Sequence, residues 1–189
     1  MAALTILLIR HAEKPDKNAL GPGLTSEGIP DKKSLVVRGW QRAGAWAALF
    51  SNSCTSTDYP CPTAIYAAKP EDDNAGPDPS RRPHETIIPL ATRLGIAPVL
   101  TFAKGQEQEL ANELFGRTGV VLASWEHKTL VKKLLPALIA GQEIANAPLQ
   151  WDDMRFDVVL RLDRPSAGAA WAFRQLFPKL LGGDSDIPL

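Results

Sequence analysis

The chain has 189 residues, enough for a single domain, 1–189, with a full hydrophobic core. Hydrophobic residues make up 44% and charged residues 22%, and the formal net charge is zero, so no overall field recruits nucleic acid or an anionic membrane. No segment approaches bilayer length, and the apolar start at residues 2–9 lacks a basic leader and a small-residue cleavage site, so a cytoplasmic location is expected.

Residues 4–9, Leu4-Thr5-Ile6-Leu7-Leu8-Ile9, form a continuous apolar run of strand length, as expected of a strand buried on both faces. A polar loop rich in Gly and Pro follows to about residue 34. Residues 38–50 read as a helix, with Trp40, Ala43, Ala47 and Phe50 at helical spacing. Residues 63–67 are a second short strand, followed by an exposed loop over 69–79. Ser80 is a plausible N-cap for a helix reaching Leu94, with Gly95 as its stop.

Residues 98–102 read as a third strand and 106–115 as a short helix. Residues 119–124, Gly119-Val120-Val121-Leu122-Ala123-Ser124, are a fourth, buried strand. A helix over 128–140 ends at Gly141. Residues 155–162 read as a strand, and 170–175 as a last strand or a helix. Strands alternating with helices predict an α/β fold around a largely parallel sheet, and the final pair predicts an antiparallel addition.

The chain holds two cysteines, Cys54 and Cys61, in a loop-like stretch. A metal site would need further Cys or His nearby, and none is there, so two free thiols are expected. Whether the pair is bonded stays open on the sequence.

In open α/β sheets, ligands bind beyond the carboxyl ends of the strands. Arg10 and His11 follow the first strand, and Glu126 and His127 follow the fourth. Arg81 and Arg82 stand at the start of the helix after the second strand. Lys104, Glu107 and Glu109 follow the third. One crevice with two His, Arg and a few carboxylates suits an oxyanion, above all phosphate. A His at a strand end can attack phosphorus when its far nitrogen is fixed by a carbonyl.

These residues carry a family resemblance. Leu8-Ile9-Arg10-His11-Ala12-Glu13-Lys14-Pro15 resembles the Arg-His-Gly-Glu signature of the histidine phosphatase superfamily, the phosphoglycerate-mutase-like proteins. Arg38-Gly39-Trp40-Gln41-Arg42-Ala43 resembles the family's helix after the active-site loop. Ile65-Tyr66-Ala67, followed by Ser80-Arg81-Arg82-Pro83-His84-Glu85-Thr86, resembles its second arginine motif, whose spacing selects Arg82 over Arg81. Residues 120–127 resemble the strand that ends in the second catalytic histidine.

The resemblance implies a three-layer α/β sandwich, a mostly parallel sheet with an antiparallel edge addition. It implies a phosphatase acting on a phosphorylated small molecule or phosphoprotein, without metal or other cofactor. The charge balance and the lack of a spanning segment lead us to expect no nucleic-acid or membrane partner. His11 would become the phosphohistidine. Arg10, Arg82 and His127 would hold the phosphoryl oxygens, and Lys14 would add a contact.

The resemblance also points to Glu107 as general acid, with Glu109, Glu126 and Glu13 as other candidates. Three departures stand out. Ala12 replaces a Gly, the Ser-Pro expected after the second strand is displaced by Ala68-Lys69-Pro70, and Lys128 stands where the acid phosphatase branch has Asp. A phosphoglycerate mutase and a phosphate-binding module without turnover are the alternatives. Chain length favours the phosphatase over the mutase. Substrate choice is expected from residues 16–33 and 69–79.

Overall fold

The computed structural model describes residues 3–16, 21–52, 56–70 and 80–189. The first apolar run forms β1 (Leu4–Arg10), buried at every position but Thr5. Helix α1 (Val37–Asn52) follows, then β2 (Ala64–Ala67), α2 (Arg82–Leu94) and α3 (Glu107–Phe115). The second buried run forms β3 (Gly119–Trp125).

Beyond β3, α4 (His127–Thr129), a π-helical stretch (Leu130–Leu134) and α5 (Leu135–Ile139) follow one another without a break. Pro136 accounts for the wide turn: it has no N–H to donate, and its ring crowds the carbonyl four residues back. The chain ends with β4 (Val159–Arg164) and β5 (Ala172–Leu176).

The five strands form one sheet in the order β2-β3-β1-β4-β5. β2, β3 and β1 are parallel, β4 is antiparallel to β1, and β5 is antiparallel to β4. The mostly parallel sheet and its antiparallel edge are therefore as expected. Alternation along β1 divides the core. Leu7 and Ile9 pack with Trp46, Phe50, Ile87 and Leu90 of α1 and α2. Leu4, Ile6 and Leu8 pack with Leu110, Leu114, Leu134 and Leu138 on the opposite face. Helices on both faces make the three layers.

Four expectations change. Arg81, not Ser80, is the N-cap of α2, and Ser80 Oγ instead accepts from the Arg82 N–H at 3.3 Å. Residues 98–102 form no strand: Val99 makes a single parallel bridge to Tyr66, exchanging backbone bonds with Ile65 and Ala67. The adjacent Pro98 has no N–H to extend a ladder. The strand expected from residue 155 starts at Val159, because the carbonyls of Asp152, Asp153 and Arg155 turn inward onto Arg10. Cys61 is disulfide-bonded rather than free. Cys54, the other cysteine of the chain, lies outside the described residues.

Two glycines position elements. A Cβ on Gly39 would stand 2.5 Å from the Glu13 carbonyl, so only glycine lets α1 lie this close to the loop after β1. Gly95 caps α2 in a left-handed conformation at φ 66°.

Candidate active site

Two parallel strands end side by side. Arg10 is in register with Trp125, and the His11 N–H donates to the Trp125 carbonyl at 3.0 Å. The residues that follow each strand therefore emerge on one rim. The rings of His11 and His127 lie 6.3 Å apart at 80°.

His11 is buried, and its Nδ1 is 2.8 Å from the Ala12 carbonyl. A carbonyl can only accept, so Nδ1 carries the proton and Nε2 keeps the lone pair. Burial pushes the His11 pKa well below its usual value. The charges of Arg10, Arg82 and His127 act in the same direction, and the Ala12 bond opposes them only in part. The ring is neutral at neutral pH, the state a nucleophile needs.

The loop after β1 is tied to α2. The Ala12 N–H donates to Thr86 Oγ1 at 2.8 Å, and the Thr86 hydroxyl donates to the Arg82 carbonyl at 2.7 Å. This explains physically why Thr stands four residues after Arg82. The Glu85 carboxylate accepts from Ser34 Oγ at 2.6 Å and from the Leu35 N–H at 2.9 Å. Arg82 itself donates from Nη2 to the Lys32 carbonyl at 2.6 Å.

Arg10 is fully buried. Its Nη1 donates to the carbonyls of Asp152 (2.9 Å), Asp153 (3.2 Å) and Arg155 (2.7 Å). Its guanidinium carbon stands 3.9 Å from the centre of the Phe156 ring. Nε and Nη2 have no hydrogen-bond partner. Buried donors are rarely left so, and an oxyanion would satisfy them. Burial pushes the Arg10 pKa down to about 9 against the opposing charges of Asp153, Glu126 and Glu13.

A pocket of about 230 Å³ opens on this rim, lined by His11, Lys14, Arg82, Glu126 and His127, with Lys69, Lys104 and Lys128. The Lys14 ammonium is held below its usual range by burial, and by the neighbouring charges of Arg82 and Arg10. Cations thus dominate the lining, with Glu126 as the carboxylate among them.

The four expected acids fall in different places. Glu107 does not line the pocket. Trp125, at the end of β3, turns its ring toward α3, and its indole N–H donates to Glu107 Oε1 at 3.0 Å. The Gly105 N–H donates to the same oxygen at 3.0 Å, while the buried Oε2 has no partner. Glu109 is exposed on α3. Glu13 is buried on Arg42.

Glu126 does reach the pocket, but its carboxylate caps α4, accepting from the Lys128 and Thr129 amides at 3.1 and 2.9 Å. It also stands 3.0 Å from His127 Nδ1. Burial raises its pKa, but His127 and the two amides outweigh burial and hold it well below the usual carboxylate range.

The residue that sequence reasoning missed is Asp153. Its Oδ1 shares a hydrogen bond with His127 Nε2 at 2.5 Å and lies 3.4 Å from Lys128 Nζ. Nothing in the pattern of residues 151–157 marked that segment as part of the rim. Phe156, whose ring centre is 6.2 Å from that of His11, was missed for the same reason.

Among the described residues, no group of three or more His, Cys, Asp or Glu is arranged to hold a metal ion. No helix among them is long and apolar enough to cross a membrane.

No family model matches the chain, and no curated protein matches it in sequence. Solved structures do. Mycobacterial hydrolase 2 superposes with a TM-score of 0.51 at 14% identity, over 93% of this chain and 90% of that one. Bacillus stearothermophilus YhfR gives a TM-score of 0.47 at 14% identity, over 96% and 98%. The chain thus shares the α/β sandwich fold of Mycobacterial hydrolase 2. At these identities the likeness is one of fold, and the chemistry rests on the residues of the rim.

Proposed function

We propose that this chain is a phosphatase that hydrolyses a phosphomonoester through a phosphohistidine on His11. The observation that carries the reading is the state of His11: a buried, neutral imidazole with Nδ1–H on a carbonyl, at a pocket lined by Arg82, Lys14 and His127. Nε2 attacks phosphorus. Arg82, His127 and the unpartnered donors of Arg10 stabilise charge on the phosphoryl oxygens. Lys14 adds a charge at the same end. Water then hydrolyses the N–P bond. Mycobacterial hydrolase 2, which shares the fold, is by its name a hydrolase, in agreement with this reading.

No step of the mechanism uses a metal, because the arginines and His127 supply the charge. A pocket of about 230 Å³ favours a small phosphorylated molecule over a phosphoprotein surface. The disulfide at Cys61 weighs against the cytoplasmic location expected from the sequence, since such bonds persist chiefly in oxidising compartments. An oxidising compartment is the location it supports.

The test is phosphate release from p-nitrophenyl phosphate with a chelator present. Turnover by the wild type and none by His11→Ala is the expected result. Equal rates in both proteins would overturn the reading.

A further inference from the structure

We propose that Asp153 is the acid–base residue of this site, giving a proton to the leaving oxygen and later taking one from water. The proposal rests on the phosphohistidine reading above.

Hydrolysis of an alkyl phosphate expels a strongly basic oxygen, so a proton donor must stand near it. The carboxylates named from the sequence are engaged elsewhere. Glu107 is bonded to Trp125 and Gly105, Glu13 to Arg42, and Glu109 is exposed on α3. Glu126 is committed to two backbone amides at the start of α4. Asp152 accepts from the Met154 N–H at 2.7 Å. Among the described residues, Glu126 and Asp153 are the carboxylates in contact with His127. Of these, only Asp153 meets Nε2, the ring atom it shares a hydrogen bond with at 2.5 Å. Asp153 stands outside the pocket wall but in contact with two residues that line it, His127 and Lys128.

The main chain of Asp153 is fixed while its side chain is not. Its carbonyl accepts from Arg10 Nη1, as do those of Asp152 and Arg155. Its side chain is 60% exposed, so the carboxyl can turn from His127 toward a leaving group. The clamp on Arg10 thus carries the acid to the phosphoryl site.

Substrate binding also changes the proton affinity of Asp153 in the required direction. Without substrate, the hydrogen bond to His127, with help from Lys128, holds its carboxyl below the usual range despite some burial. A bound phosphoryl oxygen takes the Nε2 proton of His127 for its own hydrogen bond. Asp153 then loses a donor and gains an anionic neighbour, and both changes favour its protonated form.

The steps balance. His11 Nε2 forms a bond to phosphorus as the P–O bond to the leaving group breaks. The electron pair stays on the leaving oxygen, which takes the Asp153 proton. A water oxygen then attacks phosphorus, and the N–P bond breaks with its pair returning to Nε2. The water proton passes to the Asp153 carboxylate, which restores the protonated acid of the substrate complex.

The experiment compares two substrates in wild type, Asp153→Asn and Asp153→Glu. p-Nitrophenyl phosphate has a leaving group that departs without a proton, and glycerol 2-phosphate has one that needs it. Inorganic vanadate binding checks that each variant keeps a formed site. We expect Asp153→Asn to lose about 10²–10⁴-fold in kcat on glycerol 2-phosphate, less than about tenfold on p-nitrophenyl phosphate, and to be partly rescued in Asp153→Glu.

Equal losses on both substrates would overturn the proposal and make Asp153 a positioning residue for His127 or Arg10. Faster turnover of both, with lower KM, would overturn it in favour of a carboxylate that merely competes with phosphate. No turnover of either substrate by the wild type would instead strike at the phosphatase reading itself, and the proposal would fall with it.

Discussion

Replacing Arg42 by Met tests how the loop carrying His11 is held. The Arg42 guanidinium donates to both Glu13 oxygens, with Nη2 at 2.8 Å from Oε1, and to Asp184 through Nη1 and Nη2 at 3.0 and 2.8 Å. All three side chains are about 3% exposed, so this is a buried network joining α1, the loop after β1 and the C-terminal segment. Removing one partner of a buried pair costs about 3–5 kcal/mol, because it leaves uncompensated charge. At about 2–4 °C per kcal/mol for a chain of this size, the Tm of Arg42→Met should fall by roughly 6–20 °C.

The loss should depend on pH. Burial pushes the Asp184 carboxyl up, and Arg42 with the Leu181 and Leu180 amides outweighs burial and holds it below its usual range. In the wild type this contribution is present above the unfolded value of about 3.9 and is lost as pH falls through the folded value. In Arg42→Met the upward push of burial stands against the remaining amides, so the variant is penalised more as pH rises. Thermal denaturation followed by circular dichroism from pH 4 to 8 should show the gap widening toward pH 8. A gap below about 1 kcal/mol, within the range of exposed pairs, or one constant over this range, would refute the argument.

Other outcomes follow from the same geometry. Thr86→Val leaves the buried Ala12 N–H without an acceptor, so a loss of about 1–3 kcal/mol in urea unfolding is expected, with a fall in kcat as His11 shifts. The acid limb of kcat/KM should reach its plateau by about pH 6.5, since His11 must be neutral and burial lowers its pKa. A limb centred above that value would contradict the assignment. Glu107→Gln should keep kcat within about tenfold of wild type, short of the loss a general acid causes, because Glu107 serves the Trp125 indole rather than the pocket.

The fold was legible where one physical pressure dominated. Residues 4–9 and 119–124 are apolar throughout, and a strand buried on both faces demands that. Once those strands are parallel neighbours, Arg10, His11, Glu126 and His127 must share a rim, so most of the site followed from position alone. Gln175 and its neighbours, whose pattern fits strand or helix equally, pair with β4 as β5.

The rest depended on facts outside local pattern. The destination of Glu107 was set by which way Trp125 faces, a matter of register in β3. Asp153 lies in a segment with neither helical nor strand period, and its role comes from carbonyls that converge on Arg10 from the chain leading into β4, the neighbour of β1. Residues 98–102 had strand composition but only one pairing position beside the four-residue β2.

On the proposed mechanism His11 carries the phosphoryl group during turnover. Rapid acid-free quenching during hydrolysis of p-nitrophenyl phosphate, followed by peptide mass spectrometry, detects that intermediate. One phosphoryl group is expected on the peptide containing His11, stable in alkali and lost in acid, and absent from His11→Ala. Turnover with no phosphorylated His11, or with the label on another residue, would contradict it.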